Sequence, residues 1–223
     1  MEQEDYSKIY EYESMGKEYA GEKACISLTS WKARINTVSK TLYSLVKMCP
    51  GFHIVLVLSK DEFPLMEKEL PDNLMLFVEN QLIELFWIKP NLKSFKKVLF
   101  TMDKYRDVPV ISADDDCIYT CNYAQELYNA YIEFPKYVIR YPVSNINNHF
   151  VAGPYTLYPT WNNFGCIALR TLKNTKTKIN FCLDDDFYNI VIKVNKIEHI
   201  SLRKRNVPCR FFAQHCAIHK HLL

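Results

Sequence analysis

Residues 53–59 read HIVLVLS, an apolar and β-branched run with no polar position in its middle. A strand with one wet face alternates apolar and polar residues, so this run predicts a strand covered on both sides, as in a parallel sheet between helix layers. Residues 24–28 form a second short apolar stretch, closed by Thr29 and Ser30, which suit a loop. Between the two runs, Val38, Leu42, Leu45 and Val46 fall on one face of a helix that must stop before Pro50 and Gly51. Strand, loop, helix, strand is the opening of an alternating α/β chain.

The alternation continues. Helical turns are expected over 65–70, strands over 74–78 and 82–88, and a helix carrying Phe95, Val98, Leu99 and Met102, with Lys93, Lys96, Lys97 and Lys104 on its surface. A buried strand over 108–113 follows, then a helix over 124–132 and a strand over 137–141. The stretch 142–164, rich in asparagine and proline, reads as a loop. A last helix over 186–194 shows Phe187, Ile190, Val191 and Val194 on one face, and a strand over 197–202 follows it. The expected fold is α/β, a doubly wound and mostly parallel sheet. It is expected to form one domain over 1–223, with an acidic segment at 1–22 and a basic one at 203–223.

Composition narrows the ligand classes. The net charge of +3 arises from 28 basic and 25 acidic side chains, too slight an imbalance to single out nucleic acid. None of the five glycines lies in a GxGxxG or GxxxxGK pattern, so a glycine-rich phosphate loop is excluded. No apolar run reaches the roughly 18 residues a membrane helix needs, and the acidic start is unlike a signal peptide. A cytoplasmic protein is expected, at most touching the inner face of a membrane through its basic, phenylalanine-bearing tail. The eight cysteines are scattered through strand-like and helix-like segments, which favours free thiols over a disulfide framework.

The segment most suggestive of chemistry is VPVISADDDCIY, 108–119, in which a buried strand runs straight into Asp114, Asp115 and Asp116. Adjacent carboxylates repel, and a hard divalent ion such as Mg²⁺ or Mn²⁺ relieves that by taking one or two of them together with phosphate oxygens. The carboxyl end of a strand is also where ligands bind in open α/β sheets. A solvated aspartate-rich turn is the plain alternative. A second cluster, Asp184, Asp185 and Asp186, precedes the last helix, where capping explains one aspartate but not three. Asp185 or Asp186 could accept a proton from an attacking hydroxyl.

Four segments in order, ISLTSWKARI (26–35), NLKSFKKVLFTMDKYRDVPVISADDDCIY (91–119), WNNFGCIALR (161–170) and LDDDFYNIVI (183–192), resemble the family-2-like bacterial glycosyltransferases of the GT-A fold. The resemblance covers roughly residues 24–200. It implies a Rossmann-like nucleotide-diphospho-sugar transferase fold and a nucleoside-diphosphate sugar donor, a UDP-sugar foremost. It also implies a glycan, lipid-linked or polysaccharide acceptor, Mn²⁺ or Mg²⁺, and hexosyltransferase-like chemistry with inversion. Carried over by position, Thr29, Ser30 and Arg34 would line the nucleotide pocket and Lys96 and Lys97 would meet the diphosphate. Asp114 and Asp115 would contact the donor and Gly165 would lie in its glycine-containing segment. Asp116 and Asp114 would bind the metal of this Asp-x-Asp motif, with His215 or His219 as a weaker late ligand, and Asp185 and Asp186 would form the acceptor-side acidic pair.

The chain departs from that pattern in having only Gly165 before Cys166, and in Phe187-Tyr188 where a tryptophan often follows the acidic pair. The spacing of Cys209, His215, Cys216 and His219 matches no common structural zinc pattern. Tyr155, Tyr158 and Trp161 are candidates for stacking against an acceptor sugar, against the commoner role of aromatic packing. Two other functions fit the acidic clusters: a two-metal phosphoesterase or nuclease, and a sugar- or nucleotide-binding protein of the same fold without turnover.

Overall fold

The computed structural model describes residues 23–141, 155–174, 184–202 and 209–211. In chain order the elements are β1 Cys25–Thr29, α1 Val38–Met48, β2 His53–Ser59, α2 Asp72–Glu79, β3 Glu84–Ile88, α3 Lys96–Lys104, β4 Val110–Ser112 and β5 Cys117–Tyr119. There follow α4 Tyr123–Glu133, β6 Val138–Arg140, β7 Thr156–Tyr158, α5 Cys166–Asn174, α6 Asp184–Val194, β8 His199–Ser201 and β9 Cys209–Phe211. Seven strands form one sheet in the order β3-β2-β1-β4-β7-β6-β8, and β5 pairs with β9 in a separate ribbon. In the large sheet β7 runs antiparallel to both neighbours, and the other pairings are parallel.

β2 shows why its sequence lacks alternation. Val55 and Val57 belong to the core on one face of the sheet, with Val98, Leu99 and Met102 of α3 and Phe187, Tyr188 and Val191 of α6. Ile54, Leu56 and Leu58 point the other way, into the core built with Val38, Leu42 and Leu45 of α1, Leu74 of α2 and Leu127 of α4. All five side chains on β2 are buried. At roughly 1.5–3 kcal/mol for each fully buried aliphatic, this one strand anchors both layers.

Four expectations are corrected. Residues 74–78 are not a strand but the body of α2. Pro71 sits at its cap and Leu74, Met75, Phe77 and Val78 turn inward at helical spacing, leaving Leu76 exposed. The expected loop 142–164 contains β7, a central strand hidden between Pro154 and Pro159; residues 142–154 lie outside the described part. Lys96 and Lys97 are buried rather than on the surface of their helix. Finally α5, β5 and β9 were not anticipated: β5 and β9 are three residues each, too short for a period to show, whereas α5 carries an overlooked helical pattern in Ala168, Leu169 and Leu172.

Among the described residues, no helix is long and apolar enough to cross a membrane. Among the described residues, Cys25, Cys49 and Cys166 are free thiols.

Candidate functional site

From β1 the chain moves outward to β2 and β3 on one side, and β4 lies on the other side of β1. The strand order therefore reverses between β1 and β4, and the crevice beyond their carboxyl ends is the ligand position that an open α/β sheet provides. The loop after β1 and the triplet after β4 meet there. Residues 31–35 form a tight turn, in which the Arg34 and Ile35 amides both donate to the Trp31 carbonyl at 2.9 Å. That turn brings the Arg34 guanidinium back over the aspartates.

Arg34 bridges two of them: Nη2 lies 2.7 Å from Asp115 Oδ1 and Nη1 lies 2.8 Å from Asp116 Oδ2. Lys97 Nζ, at the start of α3, donates to Asp114 Oδ1 at 2.9 Å. The repulsion expected within the triplet is thus partly relieved by the protein's own cations. The middle residue differs from its neighbours. Asp115 is buried, its carboxylate accepts the Ser30 hydroxyl at 2.6 Å, and its carbonyl accepts the Thr41 hydroxyl at 2.9 Å. Burial pushes its carboxyl up to about 6, against the opposing pull of Arg34 and Ser30. It ties the β1 loop to β4, its carboxylate engaged by Ser30 and Arg34 and its carbonyl by Thr41.

The backbone of the triplet is fixed from below. The Asp114 amide donates to the Tyr119 hydroxyl oxygen at 2.9 Å, and the Tyr119 ring stacks on Tyr123 with centroids 4.9 Å apart. Tyr155 packs edge-on against both rings. Tyr155, Tyr158 and Trp161 are all buried, so these aromatics build core and are not a face for an acceptor sugar. Thr29, too, turns inward, its hydroxyl donating to the Val57 carbonyl at 2.7 Å.

Lys96 does not join the triplet. Its ammonium pairs with Glu62 Oε2 at 3.0 Å and with Asn91 Oδ1 at 3.1 Å, and burial depresses its pKa. Glu62 follows β2 and Asn91 follows β3, so Lys96 closes the same carboxyl edge two strands away.

The second acidic cluster also comes to this edge. Directly after Asp184–Asp186, Phe187 packs on Phe95 with centroids 5.4 Å apart, and the Tyr188 hydroxyl donates to the Phe95 carbonyl at 3.4 Å. Phe95 immediately precedes Lys96 and Lys97. The first turn of α6 therefore begins beside the first turn of α3; the side chains of Asp185 and Asp186 lie outside the described part. Gly165 is placed elsewhere. The Trp161 amide donates to the Arg106 carbonyl at 3.2 Å, at the amino end of β4, and a β-carbon on Gly165 would stand 2.3 Å from the Trp161 ring. The structure thus sets Gly165 in the packing against Trp161, near the amino end of β4 and away from the aspartates.

Asp114, Asp116 and Cys117 present ligand atoms that all lie within 4.8 Å of one another. Cys117 is fully buried in the core, whereas Asp114 is half-buried and Asp116, though buried, keeps slight exposure, which leaves the two carboxylates as the hard-ion donors. Two carboxylates suit a hard divalent ion that completes its shell with phosphate oxygens and water. β9 runs antiparallel to β5 and ends with Phe211 opposite Cys117, next to Asp116. His215, four residues further on, lies outside the described residues. Sequence reasoning missed the roles of Tyr119 and Thr41, and the only trace of either is an apolar-polar alternation too short to read.

No protein-family model matches the sequence, and no curated protein matches it. Solved structures do. The glycosyltransferase GlyE of Streptococcus pneumoniae TIGR4 superposes with a TM-score of 0.54 at 15% identity, over 82% of this chain and 45% of that one. Its apo form gives 0.53 at 14% identity, over 81% and 45%. The fold is that of a GT-A-like glycosyltransferase. Staphylococcus aureus TarS 1–349 is similar at a TM-score of 0.49 and 13% identity, over 82% of this chain and 59% of that one, too distant to carry weight. The chain spans less than half the length of GlyE. In this GT-A-like fold, the strand reversal between β1 and β4 is where the triplet stands.

Proposed function

We propose that this chain is a glycosyltransferase that moves a sugar from a nucleoside-diphosphate sugar, a UDP-sugar foremost, to a hydroxyl of a glycan, lipid-linked or polysaccharide acceptor. The observation that carries the reading is the meeting of both acidic clusters at one carboxyl edge of a GT-A-like sheet, the triplet after β4 paired with Arg34 and Lys97 and the start of α6 beside the start of α3. In this reading Asp114 and Asp116 hold Mn²⁺ or Mg²⁺, which when bound offsets charge on the departing diphosphate. Lys97 and Arg34 add fixed positive charge where negative charge develops. Asp185 or Asp186 takes the proton as the acceptor oxygen bonds to the anomeric carbon and the carbon–oxygen bond to the diphosphate breaks. A carboxylate on the side opposite the leaving group corresponds to inversion.

A two-metal phosphoesterase is the weaker reading, because Arg34 and Lys97 leave the triplet too little uncompensated charge for two divalent ions. The deciding experiment is thermal unfolding with a panel of nucleoside diphosphates, each with and without Mn²⁺ or Mg²⁺. A ligand at 100 times its Kd adds about 2.7 kcal/mol, which registers as a clear rise in Tm. A rise with one diphosphate that needs metal and disappears in Asp116→Ala supports the proposal; no rise with any of them from folded protein rejects it. Binding without sugar transfer to any acceptor would point to the silent binder.

A further inference from the structure

The two carboxylates a metal would use already carry cations of the chain. Arg34 Nη1 lies 2.8 Å from Asp116 Oδ2, and Lys97 Nζ lies 2.9 Å from Asp114 Oδ1. The two ends of the Arg34 fork are not equivalent. The Nη2 end is held by Asp115, whose side chain is 3% exposed and is fixed in turn by Ser30, whereas the Nη1 end reaches Asp116, whose side chain is 9% exposed. Two basic groups facing three carboxylates leave little net negative charge for a divalent ion arriving alone. An anion arriving alone meets carboxylates that already occupy both cations. Metal and diphosphate arriving together supply both a cation for the carboxylates and an anion for Arg34 and Lys97.

We infer that Arg34 is a resident counter-cation that keeps the metal site weak until a diphosphate is present. It then pivots on Asp115, passing its Nη1 end from Asp116 to a phosphate oxygen. Arginine suits this because its planar fork pairs with carboxylate and phosphate alike and never loses its proton. Asp115 is the pivot and touches no ligand. The consequence is specific to this residue: Arg34 opposes binding of the bare metal and supports binding of the metal–diphosphate complex. The inference rests on the metal–diphosphate reading above.

The test titrates the full chain with Mn²⁺, reading free Mn²⁺ by electron paramagnetic resonance, first alone and then with UDP, and repeats both for Arg34→Gln and Arg34→Lys. Arg34→Gln is expected to bind Mn²⁺ alone about tenfold more tightly than the wild type and the Mn²⁺–UDP complex about tenfold more weakly. Arg34→Lys keeps the charge but cannot bridge both aspartates, so it shifts in the same two directions by less, and it serves if the glutamine variant does not fold. A residue that merely shapes the site would weaken both titrations, and that result overturns the inference. Unchanged Mn²⁺ affinity in both variants, with normal Mn²⁺–UDP binding by the wild type, overturns it while sparing the proposed function. If folded wild type binds Mn²⁺ in neither titration and no other nucleoside diphosphate restores it, both fall together.

Discussion

Opposite edges of the same sheet hold two polar clusters with opposite charge balance. At the carboxyl edge, three aspartates face Arg34 and Lys97. At the amino edge one carboxylate, Glu84, is met by three donors: His53 Nε2 at 2.6 Å, Lys104 Nζ at 2.6 Å and the Tyr105 hydroxyl. The pKa directions follow that balance. Burial alone would raise Glu84, but the hydrogen bonds from His53, Lys104 and Tyr105 outweigh it and hold the carboxyl down at about 2. Burial wins at Asp115, whose carboxyl goes up to about 6 despite Arg34. A saturated carboxylate has nothing left to offer a ligand and serves stability. A cluster with surplus carboxylate sacrifices stability and keeps the capacity to bind.

That contrast breaks if mutations at the two edges have the same consequences. The largest effect is expected at the acidic pair: Asp186→Ala should lower turnover by about 10²–10⁴-fold, the range for loss of a general base, and leave the metal-dependent Tm rise with diphosphate intact. A kcat within threefold of wild type would remove Asp186 from that role. At the other edge Glu84→Ala should leave turnover and the diphosphate response unchanged while costing about 2–3 kcal/mol, because partly buried donors lose their acceptor. Chemical denaturation measures it. Because the folded Glu84 pKa lies below its ordinary value of 4.5, the folded state holds fewer protons there than the unfolded chain between pH 4.5 and about 2. The stabilisation is present above pH 4.5 and is lost as pH falls toward 2. Stability of Glu84→Gln should therefore fall less steeply than that of the wild type below pH 4.5.

How far the two edges can be read from sequence differs for a physical reason. Much of the carboxyl edge is assembled from residues that follow strand ends, so Ser30, Arg34 and Asp114–Asp116 are marked by a local pattern, a strand and then polar residues, whereas Lys97 on α3 is not. Their pairing is not marked, because Arg34 and Asp116 are 82 positions apart and depend on β1 and β4 being neighbours. Hence the triplet was legible as a cluster of carboxylates but not as one partly offset by the chain's own cations. The amino-edge cluster left no trace, since His53, Glu84, Lys104 and Tyr105 are isolated polar residues at the ends of elements. For elements, the double-sided run of β2 was decisive. Residues 74–78 were ambiguous because five apolar positions fit either period, and the arbitration came from packing around Leu74.

Gly165 sharpens the comparison from the amino edge, where sequence resemblance and geometry disagree about its purpose. A β-carbon there would stand 2.3 Å from Trp161 Cε3 and 2.9 Å from Cζ3, inside any normal contact distance. The Trp161 ring has little room to retreat: it is 7% exposed, belongs to the core with Phe164 and Leu172, and has the Arg106 guanidinium over it at 5.0 Å. Gly165→Ala should therefore cost about 1–3 kcal/mol through overpacking. The diphosphate-dependent Tm rise should be undiminished once measured from the lowered baseline. If Gly165 instead lets the backbone approach the donor, the same variant would keep its stability and lose the Tm rise. The two readouts move in opposite directions, so one melting series with and without metal and diphosphate separates packing from donor binding.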